Sequence, residues 1–172
     1  MGFDAALALG PYEGAIRDLC LQLKHERNAW LAPCLGDLLV EGRREAVSHL
    51  PADAWVVPVP LHWWRHWRRG YNQAEALARG LARRLGLPIH RPLRRVRATP
   101  RLAPMGPTER GQVLRKAFRA RSSPQLKGRT VLLVDDILTT GATCGEAAKE
   151  LKRAGAARVV AMVIARAERK TS

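Results

Sequence analysis

Acidic side chains are scarce in this chain: 15 Asp and Glu stand against 30 Lys and Arg in 172 residues, a formal net charge of +15. Such a balance points to anionic partners, from nucleotide-sized phosphates up to nucleic acid, although a general arginine bias accounts for it equally well. Long apolar runs are also missing. None approaches the roughly 20 residues that span a bilayer, and the start lacks a basic-then-apolar leader, so we expect no membrane insertion and a cytoplasmic location. Cysteine is sparse and odd in number: Cys20, Cys34 and Cys144 form no Cys-x-x-Cys pair, which argues against a disulfide framework or a zinc knuckle and leaves three thiols expected to be buried. No Gly-x-x-x-x-Gly-Lys-[Ser/Thr] stretch, internal repeat or low-complexity tract occurs. The length suits one domain with one good core.

What is present concentrates in one stretch, Val131-Leu-Leu-Val-Asp-Asp-Ile-Leu-Thr-Thr-Gly-Ala-Thr143. Val131 to Val134 read as a buried parallel strand, two acids follow where the strand emerges, and a hydroxyl-rich turn precedes a helix beginning near Cys144. A turn built from Thr139, Thr140, Gly141, Ala142 and Thr143 points backbone N–H groups into one concavity, with Gly141 free to take whatever angles the turn needs. The helix adds its positive end, so a monophosphate fits there. Asp135 and Asp136 would repel the phosphate but accept hydrogen bonds from the two hydroxyls of a ribose a few ångströms away. Phosphate plus diol describes a ribose 5-phosphate. The competing readings are a Walker B strand, which lacks its phosphate loop here, a receiver-like acidic pocket, which needs no threonine-rich turn, and a plain strand, loop and helix, for which the acids and threonines are superfluous.

This segment resembles the phosphoribosyl-pyrophosphate (PRPP) motif of type I phosphoribosyltransferases. The resemblance implies that Asp135 and Asp136 hold the ribose hydroxyls as the catalytic pair, that Thr139 to Thr143 cradle the 5-phosphate, and that Mg²⁺ arrives with PRPP near the two acids rather than in a protein-built metal site.

Met1 to Gly10 carry little signal. Ile16, Leu19, Cys20 and Leu23 predict a helix within Tyr12 to Lys24, and Leu31, Leu35, Leu38 and Leu39 predict a second. Trp55-Val-Val-Pro-Val-Pro60 reads as a short strand stopped by its prolines. The stretch His62 to Gly70 then packs Trp63, Trp64 and Trp67 beside Arg65, Arg68 and Arg69. It is either a cationic loop for pyrophosphate with indoles able to stack on bases, or a loop whose tryptophans anchor it to the core or to a second subunit. Gln73 to Leu85 has a clean helical stripe with Gly86 as its cap. Strand, loop and helix open a βαβ unit, so the loop stands at the carboxyl end of its strand, where ligands bind.

Pro58-Val-Pro60 followed by Arg69-Gly-Tyr-Asn-Gln73 resembles the ComF family, also called GntX, of phosphoribosyltransferase-like proteins, some of whose members serve DNA uptake in natural competence. Leu23-Lys24-His25, Thr108-Glu-Arg110 and Ala117-Phe118 extend the likeness over nearly the whole chain. By analogy Arg65, Arg69 and Gly70 face the pyrophosphate, with Asn72 and Gln73 fixing that loop at the helix start. Family members commonly begin with a four-cysteine zinc module; this sequence starts after the place where it would stand, either truncated or of a lineage that lacks it, so no zinc is expected within these residues; Pro100-Arg101 and Gln112 also depart from the usual residues.

Arg91 to Arg129 hold 12 basic residues against Glu109 alone. With Pro100, Pro104, Gly106 and Pro107 inside it, the centre, about 98–112, reads as a mobile loop. By resemblance it closes over PRPP and brings Arg101 and Arg110 to the departing pyrophosphate. A helix through Ala147, Ala148, Leu151 and Ala154, ended by Gly155, leads to a buried strand, Arg158 to Ala165, and a polar, frayed tail from Arg166.

We therefore expect one α/β domain over residues 1–172, a helical hood segment (1–50) and an α/β core (51–172) with a mostly parallel sheet flanked by helices. PRPP or a nucleotide-like molecule is the expected ligand, with single-stranded DNA and competence proteins as further partners implied by the resemblance. The oligomeric state is left open.

Overall fold

The computed structural model describes residues 2–61, 71–97 and 113–167. Its centre is a four-stranded, wholly parallel sheet of order β1–β6–β5–β2, made of β1 (Ala5–Pro11), β2 (Trp55–Pro58), β5 (Thr130–Leu138) and β6 (Arg158–Arg166). A parallel bridge from Val56 to Ile89 extends it beyond β2. The helices are α1 (Gly14–Gln22), α2 (Leu31–Gly42), the short α3 (Arg44–Ser48), α4 (Gln73–Leu85) and α5 (Ala142–Arg153). A small antiparallel pair, β3 (Leu93–Arg95) and β4 (Phe118–Ala120), stands outside the sheet.

Both central strands are apolar through most of their length because both of their faces are covered. Along β5, Val131 and Leu133 point into a core shared with α5, Phe118 and Leu126. Leu132 and Val134 point the other way, into a core built with α1, α2 and α4 through Cys20, Leu35, Leu39, Leu77 and Leu81. The period of two in the strand thus supplies two cores, one per face.

Helices α2 and α4 approach closely where each has a glycine. A Cβ on Gly80 would come within 2.9 Å of the Pro33 Cα, and one on Gly36 within 3.2 Å of the Leu81 nitrogen. Gly80→Ala should therefore destabilise by about 1–3 kcal/mol through overpacking, despite alanine's better helix propensity. A thermal melt of the variant checks this; an unchanged or raised Tm would mean that the helices are not in backbone contact.

Residues 1–50 differ from the expected helical hood in two respects. The first ten residues hold most of β1, which pairs with β6 from Ala5↔Val160 to Pro11↔Arg166. Its sequence, Ala-Ala-Leu-Ala-Leu-Gly-Pro, has neither β-branched residues nor alternation, so its strand character comes from the partner it lies beside. Helix α2 lies on the sheet face against α4 and is not raised over the strand ends. The β3–β4 pair is a further element that the basic stretch does not announce. The expected mobile loop, about 98–112, lies outside the described residues.

Candidate phosphate and ribose site

β2 stops at Pro58, which pairs with Val134, whereas β5 runs on for four further residues paired with β6 alone. Asp135 and Asp136 thus lie within the strand, at the point where its β2 side opens, rather than beyond its end. The pleat sends their side chains to opposite faces.

Asp135 follows Leu133 towards the start of α5: its Oδ2 accepts from the Cys144 thiol at 3.8 Å and its Oδ1 from the Asp136 backbone N–H at 2.9 Å. Burial, and then the neighbouring Asp136 charge, push the Asp135 carboxyl well above the usual carboxylate range, with Arg95 pulling the other way. Asp136 follows Val134 towards α1, and its Oδ1 accepts from the Ile137 N–H at 2.9 Å. Its charge joins burial in raising the Cys20 thiol to about 12. Cys144 is likewise raised, by burial first and then by the two acids. Cys20 and Cys144 are buried as expected; Cys34 is exposed.

After Leu138 the chain makes the turn that begins α5. Gly141 is the residue before the helix, with φ of 75°, in the left-handed region that favours glycine. The Thr140 hydroxyl oxygen accepts from the Ala142 N–H at 3.4 Å, and no side chain caps the helix from Gly141. Thr139, Thr140 and Gly141 line a groove of about 860 Å³ together with the ends of β1 and β6. Arg43 and Arg166 also line it, and no motif in the sequence points to either. Arg166 is not the start of a frayed tail: it ends β6, in register with Leu138 on one side and Pro11 on the other. The two acids do not line this groove, which lies on the β1 and β6 side of the turn.

Asn72 begins α4, its side chain accepting from the Ala74 N–H at 3.1 Å and donating to the Val59 carbonyl at 3.2 Å. It fastens the helix start to the segment after β2. Asn72→Ala removes a cap worth about 1 kcal/mol and strands the Val59 carbonyl, so a loss of about 1–2 kcal/mol is expected in denaturant unfolding, with Asn72→Asp retaining the capping part. Gln73 is buried beside it. The Tyr71 hydroxyl donates to the Leu23 carbonyl, which ties the end of α1 to the start of α4 and joins two of the sequence segments that carry the family likeness. Arg65, Arg69, Gly70, Arg101 and Arg110 lie outside the described residues.

Several basic side chains of the 91–129 stretch are engaged in structure. Arg91 pairs with Glu75 of α4, Arg119 with Glu150 of α5 at 3.6 Å, and Arg129 with Asp53. Arg95 shares the inward face of β3 with Leu93, sits 5.4 Å over the Phe118 ring, and is near enough for its charge to act on Asp135. The alternation of a three-residue strand inside an arginine-rich run is too weak a signal to single it out.

An acid pair on a central parallel strand, followed by a tight glycine turn into a helix, defines the phosphoribosyltransferase class of α/β domain, and the sequence model described as "Phosphoribosyl transferase domain" matches residues 69–172. Competence protein F of Haemophilus influenzae is 34% identical over 169 residues, covering 96% of this chain and 74% of that protein. The chain belongs to the ComF family of phosphoribosyltransferase-like proteins. A solved crystal structure, that of TT1426 from Thermus thermophilus, is similar with a TM-score of 0.47 and 21% identity, over 82% of this chain and 85% of that one. No helix among the described residues is long and apolar enough to cross a membrane.

Proposed function

We propose that this chain binds PRPP with Mg²⁺ and transfers its phosphoribosyl group, in a role linked to DNA uptake. The observation that carries the reading is the succession along 135–144: two carboxylates, a turn with Gly141 in the left-handed region, and a helix start where Gly141 brings no side chain and the Thr140 hydroxyl meets the Ala142 N–H. The helix end and the threonines suit the 5-phosphate, and the acids suit the 2- and 3-hydroxyls. Among the described residues, no group of three or more His, Cys, Asp or Glu side chains could hold a metal ion. In this reading Asp135 and Asp136 would stand beside Mg²⁺ carried in with the pyrophosphate, which would supply neutralising charge at the leaving group. The chain itself positions PRPP so that a nucleophile forms its bond to C1 as the C1–O bond to pyrophosphate breaks, with nearby cations, Arg95 among them, offsetting the developing charge. The link to competence rests on the name of the Haemophilus relative, competence protein F, and the step from there to DNA uptake on the family resemblance.

The acid pair makes a sharp distinction testable by thermal melts. At 100 times its Kd, ribose 5-phosphate should stabilise the protein by about 2.7 kcal/mol, roughly 5–10 °C for a chain of this size. At the same concentration 2-deoxyribose 5-phosphate, which lacks one of the two hydroxyls, should do far less. Equal shifts would show that the acids do not read the diol.

A second reading, a nucleic-acid-binding competence factor that retains PRPP or nucleotide binding without turnover, is favoured by the exposed cations Arg94, Arg97, Arg115, Lys116 and Arg121. It predicts single-stranded DNA affinity that falls with salt by about 0.7 in log K per log unit for each neutralised phosphate, and that survives loss of the acid pair.

A further inference from the structure

In a chain with 30 basic residues, α2 (Leu31–Gly42) contains none and has two acids, Asp37 and Glu41. Its buried face, Ala32, Leu35, Gly36, Leu39 and Val40, is spent on the core. The opposite side bears, beside Asp37 and Glu41, an exposed apolar stripe: Trp30, immediately before the helix, is 65% exposed, Cys34 is exposed, and Leu38 is 52% exposed. Few proteins leave a tryptophan this bare, and a contiguous apolar stripe at i, i+4 and i+8 marks a contact surface.

The stripe is symmetric about Cys34. Trp30 stands four residues before it and Leu38 four after; Arg27, exposed, stands seven before and Glu41, exposed, seven after. Laid antiparallel against its own copy about a two-fold axis through Cys34, the helix puts each Trp30 against the other's Leu38, with the small Cys34 side chains at the crossing, and brings the short 3-10 turn that carries Arg27 (Glu26–Asn28) towards the other's Glu41. Charge of both signs is thereby matched and the apolar stripe is covered. Glu41 has intramolecular partners in Arg44 and Arg84, but it is half-exposed and a carboxylate accepts several donors. α2 itself brings no basic residue to the crossing, which limits the repulsion between two chains of +15 there.

We propose that the outer face of α2 is a two-fold interface through which a second copy of this chain docks, Trp30 packing on Leu38 and Arg27 pairing with Glu41 across the axis. Sedimentation equilibrium of the full chain over roughly 1–200 µM tests it, with dimer expected within that range for an interface of ordinary size. Trp30→Glu should weaken association by about tenfold or more, as loss of a central aromatic anchor does. Arg27→Glu and Glu41→Arg should each weaken it, and the double swap should restore it, which separates the cross-axis pair from mere loss of the Arg44 and Arg84 contacts. Diamide, the electron acceptor for oxidation of two thiols to a disulfide, should give a Cys34–Cys34 dimer on a non-reducing gel that is absent in Cys34→Ser and in Trp30→Glu; Cys20 and Cys144 are buried away from the reagent. A monomer throughout the range, a dimer indifferent to Trp30→Glu, or a double swap no better than its single variants would each overturn the proposal.

Discussion

An Asp135→Asn, Asp136→Asn double variant should stay folded and lose PRPP affinity by roughly 10²–10⁴-fold. The figure follows from two hydrogen bonds to the acid pair, each worth about 1.5–3 kcal/mol where the carboxyl is ionised, at about 1.4 kcal/mol per decade. Stability should move the other way. Burial and Asp136 raise the Asp135 carboxyl in the folded protein, so its ionised form is a burden to the fold. The sign follows from proton linkage: below the unfolded carboxylate pKa of about 3.9 the penalty is absent, and it grows as pH rises towards the raised folded value, above which it is complete. Asp135→Asn alone should therefore raise the Tm at pH 7, with the gain vanishing near pH 4. Melts at the two pH values check this. A variant destabilised equally at both would mean that Asp135 holds the fold through hydrogen bonding, to the Asp136 N–H and the Cys144 thiol, and not through its charge.

Phe118→Ala should have the largest effect on stability. The ring is fully buried between the β3–β4 pair and the core under α5, and the Arg95 guanidinium lies over it. Truncation costs about 3–5 kcal/mol in transfer and cavity terms, with about 0.5–1 kcal/mol more for the cation–ring contact. At about 2–4 °C per kcal/mol, the Tm should fall by roughly 10 °C or more, and Phe118→Leu should recover most of it. Because β3 and β4 flank the basic 98–112 segment and the Arg95 charge acts on Asp135, the alanine variant should also weaken ligand binding at temperatures where it is still folded. A fall of less than about 2 °C would mean that the pair is not anchored to the core through this ring.

The strongly patterned parts of the chain are legible from sequence. Gln73 to Leu85 is helical with the predicted bounds, Gly86 is left-handed behind it, and Val131 to Val134 and Arg158 to Ala165 are buried strands. Those signals are local: a helical stripe, a glycine at a cap, an apolar run covered on both faces. The turn into α5 is legible too, but it is shorter than its threonines suggest: Ala142 and Thr143 already belong to the helix. What escapes is decided by distant partners. β1 is a strand because β6 offers it an edge, and β5 continues past its acids because β6 does, although β2 has ended. Arg166 comes to the turn through that same pairing, and Arg95 comes near Asp135 only because two three-residue strands meet across a long intervening segment. The two-glycine contact of α2 with α4, which lays α2 on the sheet, is written in Gly36 and Gly80 but becomes readable only once the helices are known to cross there.

The central claim, that the carboxyl end of β5 and the turn into α5 form a ribose-phosphate site, is tested most directly by calorimetric titration of PRPP with Mg²⁺ into the wild-type chain. Saturable binding at one site per chain is the predicted result. A folded protein that gives no heat of binding and no thermal shift with PRPP would contradict it and leave a phosphoribosyltransferase scaffold turned to contacts with nucleic acid or protein.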